Sequence, residues 1–157
     1  MKNFKLNEKD ILSNQDWTFP TTTYYGPGRL NEIGKFCEEF DIKNPLIVTD
    51  SGSKDLPFIK KLIALLSKNN IKSDLFYNIS PNPRDDEISK GCDQFKNGSH
   101  DSIIAIGGGS AMDGGKSICL TVNSETPLWD FEFEQPVPKI TKENAFPKII
   151  TVPTTAG

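Results

Sequence analysis

Apolar positions along this chain switch repeatedly between two periods. Short continuous runs, Leu46-Ile-Val-Thr-Asp50, Ser102 to Ile106 and Lys148-Ile-Ile-Thr-Val152, predict buried strands, and Ser73 to Tyr77 predicts a further short one. Between these runs the spacing becomes helical. Leu30, Ile33, Phe36, Cys37 and Phe40 share one face, and Pro45 marks the break after that helix. Lys54 to Asn69 predicts a second helix, burying Leu56, Ile59, Leu62, Ile63 and Leu66. Asp85 or Asp86 starts a third, with Ile88, Cys92 and Phe95, and Met112, Ile118 and Cys119 lie on a fourth. Residues 1–16 are polar and predict a mobile arm. Trp17 to Tyr25 is rich in strand formers but interrupted by Pro20, which suits an edge strand or hairpin. Residues 123–147 are irregular, and their Trp129, Phe131 and Phe133 are expected to pack as a flap over the sheet edge, a partner surface being the alternative.

Strands alternating with helices long enough for crossovers predict an open α/β domain with a mostly parallel sheet and helices on both faces. Ligands of such sheets bind beyond the carboxyl ends of the strands. Four irregular segments follow strands in that sense and gather at one rim: Asp50, Pro81-Asn82-Pro83, Gly107 to Ser110, and Thr154-Thr155.

The third of these is the most informative. Gly107-Gly108-Gly109 allows a tight turn and close approach to backbone N–H groups, and Ser110 three residues before Asp113 has the spacing of a capping box. A strand, a glycine turn and a capped helix make an anion site at the positive end of a helix dipole. A plain tight connection is the simpler reading. Gly114 and Gly115 weigh against it, because glycine inside a helix costs roughly 0.5–1 kcal/mol relative to alanine and so implies close approach by backbone or ligand. Neither common phosphate motif fits: Gly115-Lys116-Ser117 would need a glycine where Ser110 stands, and the dinucleotide fingerprint lacks its later glycine.

Composition narrows the class. The 157 residues suit one domain, and with 36% apolar residues, 25% charged residues and a net charge of −3 nothing suggests a nucleic-acid partner. No run approaches a membrane span, and the opening residues Met-Lys-Asn-Phe-Lys lack the apolar core expected of a signal peptide. Cys37, Cys92 and Cys119 match neither a zinc pattern nor a disulfide framework; they read as small residues packed on helices, in keeping with a reducing cytoplasm. His100 is the only histidine, which disfavours a metal site.

At the rim, Asp50 has the place and charge to accept the hydroxyls of an adenosine ribose and to repel the extra phosphate of NADP, favouring NAD; a helix cap is the alternative. Backbone N–H groups of Gly108, Gly109 and Ser110 would hold a pyrophosphate. Asp113 caps the helix or orients a ribose or nicotinamide group, and Lys116 either pairs with Asp113 or reaches the ligand. Thr154 and Thr155 offer hydroxyls to the cofactor.

Gly107-Gly-Gly-Ser-Ala-Met-Asp-Gly-Gly-Lys116 resembles the glycine-rich segment of the iron-containing (group III) alcohol dehydrogenases. The likeness extends to Tyr25-Gly-Pro-Gly-Arg-Leu30, Leu46 to Asp50, Pro81-Asn82-Pro83, Trp129-Asp-Phe131 and Val152-Pro-Thr-Thr-Ala-Gly157, in the same order. It implies a Rossmann-like N-terminal domain shared with dehydroquinate synthase and glycerol dehydrogenase, over residues 17–157. It further implies that Asp50 contacts ribose, that the glycine segment, bordered by Asn82 and Pro83, holds pyrophosphate, and that Thr154 and Thr155 touch NAD. The family usually has alanine where Gly115 stands, a change expected to loosen the helix start. In the family an all-helical domain follows, carrying an aspartate and three histidines for Fe²⁺ or another divalent metal. This chain is expected to supply the nucleotide half only, with no catalytic or metal-ligating residue of its own, and to self-associate, most simply as a dimer. A glycerol or glycerol-phosphate dehydrogenase, a dehydroquinate-synthase-like enzyme and a non-catalytic nucleotide-binding module are the alternative functions.

Overall fold

A computed structural model describes residues 15–17, 21–132, 134–136, 138, 141 and 145–155. Residues 1–14, most of the expected arm, and Phe133 of the expected flap lie outside them. Strand β1 (Gln15–Trp17) pairs antiparallel with β2 (Thr23–Tyr25), so the expected hairpin forms and starts two residues early. A 3₁₀ turn at Arg29–Glu32 leads into α1 (Ile33–Glu39). There follow β3 (Pro45–Asp50), α2 (Pro57–Lys68), β4 (Asp74–Ile79), α3 (Asp85–Asn97), β5 (Ser102–Gly107), α4 (Gly109–Thr121), a 3₁₀ turn at Leu128–Phe131, and β6 (Lys148–Pro153).

The last four strands form one parallel sheet in the order β4-β3-β5-β6. Alternation along the strands sends side chains to two cores. Leu46, Val48, Ile103 and Ala105 meet α3 and α4 through Ile88, Phe95, Met112 and Ile118. Ile47, Ile104 and Ile106 meet α1 and α2 through Ile33, Cys37, Ile59, Leu62 and Leu66. Helices therefore cover both faces, as the alternation of elements predicts.

Three boundaries differ from expectation for local reasons. Pro45 is the buried first residue of β3, where it needs no ladder N–H, so it begins the strand and does not merely end the helix. Helix α2 starts at Pro57, a residue suited to the first helical position, because residues 51–56 are consumed by turns after Asp50. Strand β4 runs on to Ile79, whose fully buried side chain belongs to the α3/α4 core.

At the amino ends of the strands, polar side chains tie loops together. Asp101 accepts the N–H groups of Lys43 (2.7 Å) and Asn44 (3.0 Å) and the hydroxyl of Ser102 (2.6 Å). Asn44 Nδ2 donates to the carbonyls of Gly98 and Ser99 at 3.0 and 3.1 Å. Asp101→Ala frees three donors at a partly solvated place, so we expect a loss of roughly 1–2 kcal/mol, seen as a fall in Tm of a few degrees with the far-UV spectrum unchanged.

Cys37, Cys92 and Cys119 sit on α1, α3 and α4, as expected of packing residues. Burial pushes the Cys37 and Cys119 thiols up to about 11, the former with help from the Asp101 charge, and raises that of Cys92 as well. All three are poor nucleophiles at neutral pH. No helix among the described residues is long and apolar enough to cross a membrane.

Candidate nucleotide-binding site

The strand order creates a crevice at one place. From β3 the chain moves outward to β4, whereas from β5 it moves the other way to β6, so the loops leaving β3 and β5 diverge above two adjacent strands. Such a switch point is where open α/β sheets bind ligands. Asp50 ends one of these strands and Gly107 the other.

Below the crevice, Thr49 Oγ1 donates to the carbonyl of Ile106 at 2.7 Å, a buried bond joining the two strand ends. Gly107 has φ +146°, a conformation open in practice only to glycine. A Cβ there would lie 2.7 Å from the Ala111 Cβ and 3.2 Å from Asp50 Oδ2, so the carboxylate stands directly against the turn. Around Gly109 a Cβ would meet nothing within 4 Å. The turn is open on the side where a ligand would arrive.

Helix α4 begins here, two residues before the expected cap. Gly108 is its N-cap, with extended backbone and no side-chain cap, and the first helical bond runs from the Met112 N–H to the Gly108 carbonyl at 3.1 Å. The N–H groups of Gly109, Ser110 and Ala111 have no acceptor within the helix. The capping box expected of Ser110 and Asp113 is therefore not formed: the glycine turn already reverses the chain, and Ser110 falls inside the first turn. Asp113 and Lys116 are exposed, roughly 6 and 10 Å along the axis from Gly109, and make no ion pair with each other. Gly114 and Gly115 are closely approached, as expected, but by strand side chains. Added Cβ atoms would lie 2.8 Å from Ile79 Cδ1 and 2.5 Å from Ala105 Cβ respectively.

The other rim segments come to the same end of the sheet. Thr154 N–H donates to the Gly107 carbonyl at 2.8 Å, and Thr155 side-chain atoms lie 3.7 Å from where a Gly108 Cβ would be. Both threonines are exposed. The structure thus groups Asp50, Gly107, Gly108, Thr154 and Thr155. Asn82 and Pro83 leave the neighbouring strand β4, where the Ser51 N–H donates to the Ile79 carbonyl at 3.1 Å.

The helix cap weighed against ribose binding is not formed, since α2 begins at Pro57 with Leu56 as its N-cap; Asp50 instead holds the turn that follows it. Its Oδ1 accepts the Gly52 N–H at 3.0 Å and its Oδ2 the Ser53 hydroxyl at 2.7 Å. A carboxylate offers about four acceptor positions, so two bonds fix its rotamer and leave capacity for a ligand. Thr49, Ser53 and Glu87, which shape the rim from beneath, carry no motif that sequence reading could recognise; Glu87 is three residues from an arginine where a capping box has Ser or Thr.

The flap residues divide. Leu128 packs on the α3/α4 core and Phe131 is half-buried, but Trp129 is 67% exposed, with its indole N–H 3.4 Å from Asp85 Oδ2. Packing therefore does not describe Trp129, whose short 3₁₀ turn directs the ring outward. A separate open groove of about 730 Å³ lies at the amino ends of the strands, lined by residues such as Asn44, Ser67, Lys72 and Asp74, and holds none of the rim residues.

Comparison with known proteins decides the lineage. The iron-containing alcohol dehydrogenase family matches residues 20–157. The chain belongs to that family. Among iron-containing alcohol dehydrogenases it is similar to a 1,3-propanediol dehydrogenase of Klebsiella pneumoniae, 30% identical over 144 residues that make up 90% of this chain and 36% of that protein. An NADH-dependent butanol dehydrogenase A of Clostridium acetobutylicum is 32% identical over 143 residues, again 90% and 36%. The solved sulfoacetaldehyde reductase from Bifidobacterium kashiwanohense, in complex with NAD⁺, superposes with a TM-score of 0.71 at 26% identity, over 84% of this chain and 34% of that one. The chain thus spans about a third of the length of these relatives, and the parallel sheet with helices on both faces is the fold of their matched portion.

The described residues do not fit the metal that the family name implies. They contain no cluster of three histidine, cysteine or acidic side chains able to hold an ion. His100 lies at the opposite end of the sheet, buried, with Nδ1 2.9 Å from the Asn44 carbonyl and Nε2 3.3 Å from Asp74 Oδ2.

Proposed function

We propose that this chain forms the nucleotide-binding portion of an NAD-dependent alcohol dehydrogenase, one that interconverts a small primary alcohol or diol and its aldehyde by hydride transfer. The observation carrying the reading is the switch point itself. A left-handed glycine turn opens onto three free helix N–H groups, with a fixed carboxylate 3.2 Å from the turn's Cβ position. The N–H groups suit a diphosphate. The carboxylate suits the two hydroxyls of the adenosine ribose and repels a phosphate in their place, which favours NAD over NADP. The threonines beside Gly107 and Gly108 add hydroxyl donors. Asp113 and Lys116 stand further along α4, in reach only of parts of the cofactor that extend beyond the diphosphate. NAD, when bound, supplies the hydride acceptor; the chain's part is to bind and orient it.

Absence of a metal cluster among the described residues favours a second, narrower reading for the chain by itself, cofactor binding without turnover. Val152-Pro-Thr-Thr-Ala-Gly157 and the family match speak against a dehydroquinate-synthase-like or glycerol-phosphate enzyme. The outer edges of β4 and β6 are unpaired among the described residues, which supports self-association, most simply as a dimer.

Calorimetric titration with NAD⁺ and NADP⁺ tests the reading. Binding of NAD⁺ in preference to NADP⁺, weakened roughly 10-fold or more in Asp50→Ala, is the expected result, since a charge-assisted pair of hydrogen bonds is lost. Equal binding of both nucleotides, unaffected by that substitution, would remove Asp50 from the site.

A further inference from the structure

Glu87 is a charged residue in a place where charge is costly. It lies in the first turn of α3 and is 6% exposed. Its Oε2 accepts three hydrogen bonds, from the Ser80 N–H at 3.2 Å, the Ser80 hydroxyl at 3.1 Å and the Arg84 N–H at 3.1 Å. Its Oε1 lies 3.2 Å from an Arg84 guanidinium nitrogen. Burial raises this carboxyl, but the Ser80 and Arg84 donors and the arginine charge outweigh it and hold the group below the ordinary glutamate range.

These donors bracket Pro81-Asn82-Pro83. The two prolines have no N–H, and residues 80–83 make no backbone–backbone hydrogen bond of their own. Asn82 adopts φ +57°, a left-handed conformation that asparagine tolerates but does not prefer. The loop therefore owes its shape to one carboxylate beneath it. Capping α3 alone would not require this: Ser, Thr or Asp at position 84 would cap the helix without burying a charge. The additional reach to Ser80 clamps the far side of the loop, next to the strand end that carries Asp50.

We infer that Glu87 is a positioning residue of the nucleotide site, holding the 81–83 loop in the conformation in which it borders the cofactor. The inference rests on the nucleotide reading above. Glu87 touches no ligand; it acts through Ser80 and Arg84.

The test compares the wild-type chain with Glu87→Leu, which removes the acceptor at similar volume, and Glu87→Gln, which keeps an acceptor oxygen. NAD⁺ titration and amide hydrogen exchange at Ser80 and Arg84 are measured on each. The expected result is binding weakened roughly 10-fold in Glu87→Leu and restored to within about 3-fold in Glu87→Gln, with loop protection lost and regained in parallel. A merely structural glutamate would shift Tm in both variants and leave affinity unmoved, and that outcome overturns the proposal. Should Glu87→Leu not fold, Ser80→Ala replaces it, with an expected loss of about 3-fold; unchanged affinity there also overturns the proposal. Failure of the wild-type chain to bind NAD⁺ would overturn the nucleotide reading and, with it, the positioning role. Retained exchange protection in Glu87→Leu would by itself show that the loop does not depend on Glu87.

Discussion

Replacing Gly107 by alanine is expected to lower Tm by roughly 5–15 °C and to abolish nucleotide binding. Two costs add. Backbone at φ +146° strains any residue with a Cβ by about 1–3 kcal/mol. The new methyl would also sit 2.7 Å from Ala111 Cβ and 3.2 Å from Asp50 Oδ2, an overpacking cost of about 1–3 kcal/mol. Each kcal/mol is worth roughly 2–4 °C in a domain of this size. The turn can relieve both strains only by moving the start of α4 away from Asp50, which takes the free N–H groups out of the crevice. Gly109→Ala is the control, since nothing lies within 4 Å of its Cβ position and alanine favours the helix there. A thermal melt in which the two substitutions behave alike would contradict this account of the turn.

The second large effect is expected at Gly115. Gly115→Ala would bring two methyl carbons to 2.5 Å. A net loss of roughly 1–2 kcal/mol is expected after allowing for the better helix propensity of alanine. Ala105→Gly removes the opposing methyl, so the double variant should recover most of that loss, giving a coupling energy of about 2 kcal/mol in a double-mutant cycle by chemical denaturation. Additive effects would mean that the helix and strand do not meet there. The bare backbone at Gly115 thus lets α4 lie directly against the Ala105 methyl of β5.

Much of the fold was readable because each strand and helix repeats its signal. Leu46 to Asp50 and Ser102 to Ile106 are continuous apolar runs, and Ile59, Leu62 and Leu66 lie a helical turn or so apart, so the elements could be found without knowing their neighbours. Strand order could not, since nothing in the local pattern of β3 says that β5 rather than β6 will lie beside it. The four rim segments were visible as departures from pattern. Their grouping at one rim followed from the expected parallel sheet; that Asp50 and Gly107 end adjacent strands needed the strand order. Ser110 misled because its spacing to Asp113 is that of a cap while Gly107 turns the chain sooner. Trp129 misled because an aromatic side chain suggests burial whatever its backbone does. Glu87 left no recognisable motif: its partners are backbone N–H groups, a serine seven residues away and an arginine at a position where a capping box has Ser or Thr.

Contact between α4 and the sheet through bare backbone has a consequence for how this segment can evolve. The helix has only one face narrow enough to lie where it does, the one bearing Gly114 and Gly115. Adding or deleting a single residue between Gly107 and Ala111 would tend to rotate that face by about 100° and turn a side chain toward Ala105 and Ile79. Substitution at Gly109 is open to many side chains, whereas the number of residues in the turn is fixed. Lineages descending from this chain should therefore vary in what occupies the turn and scarcely at all in its length.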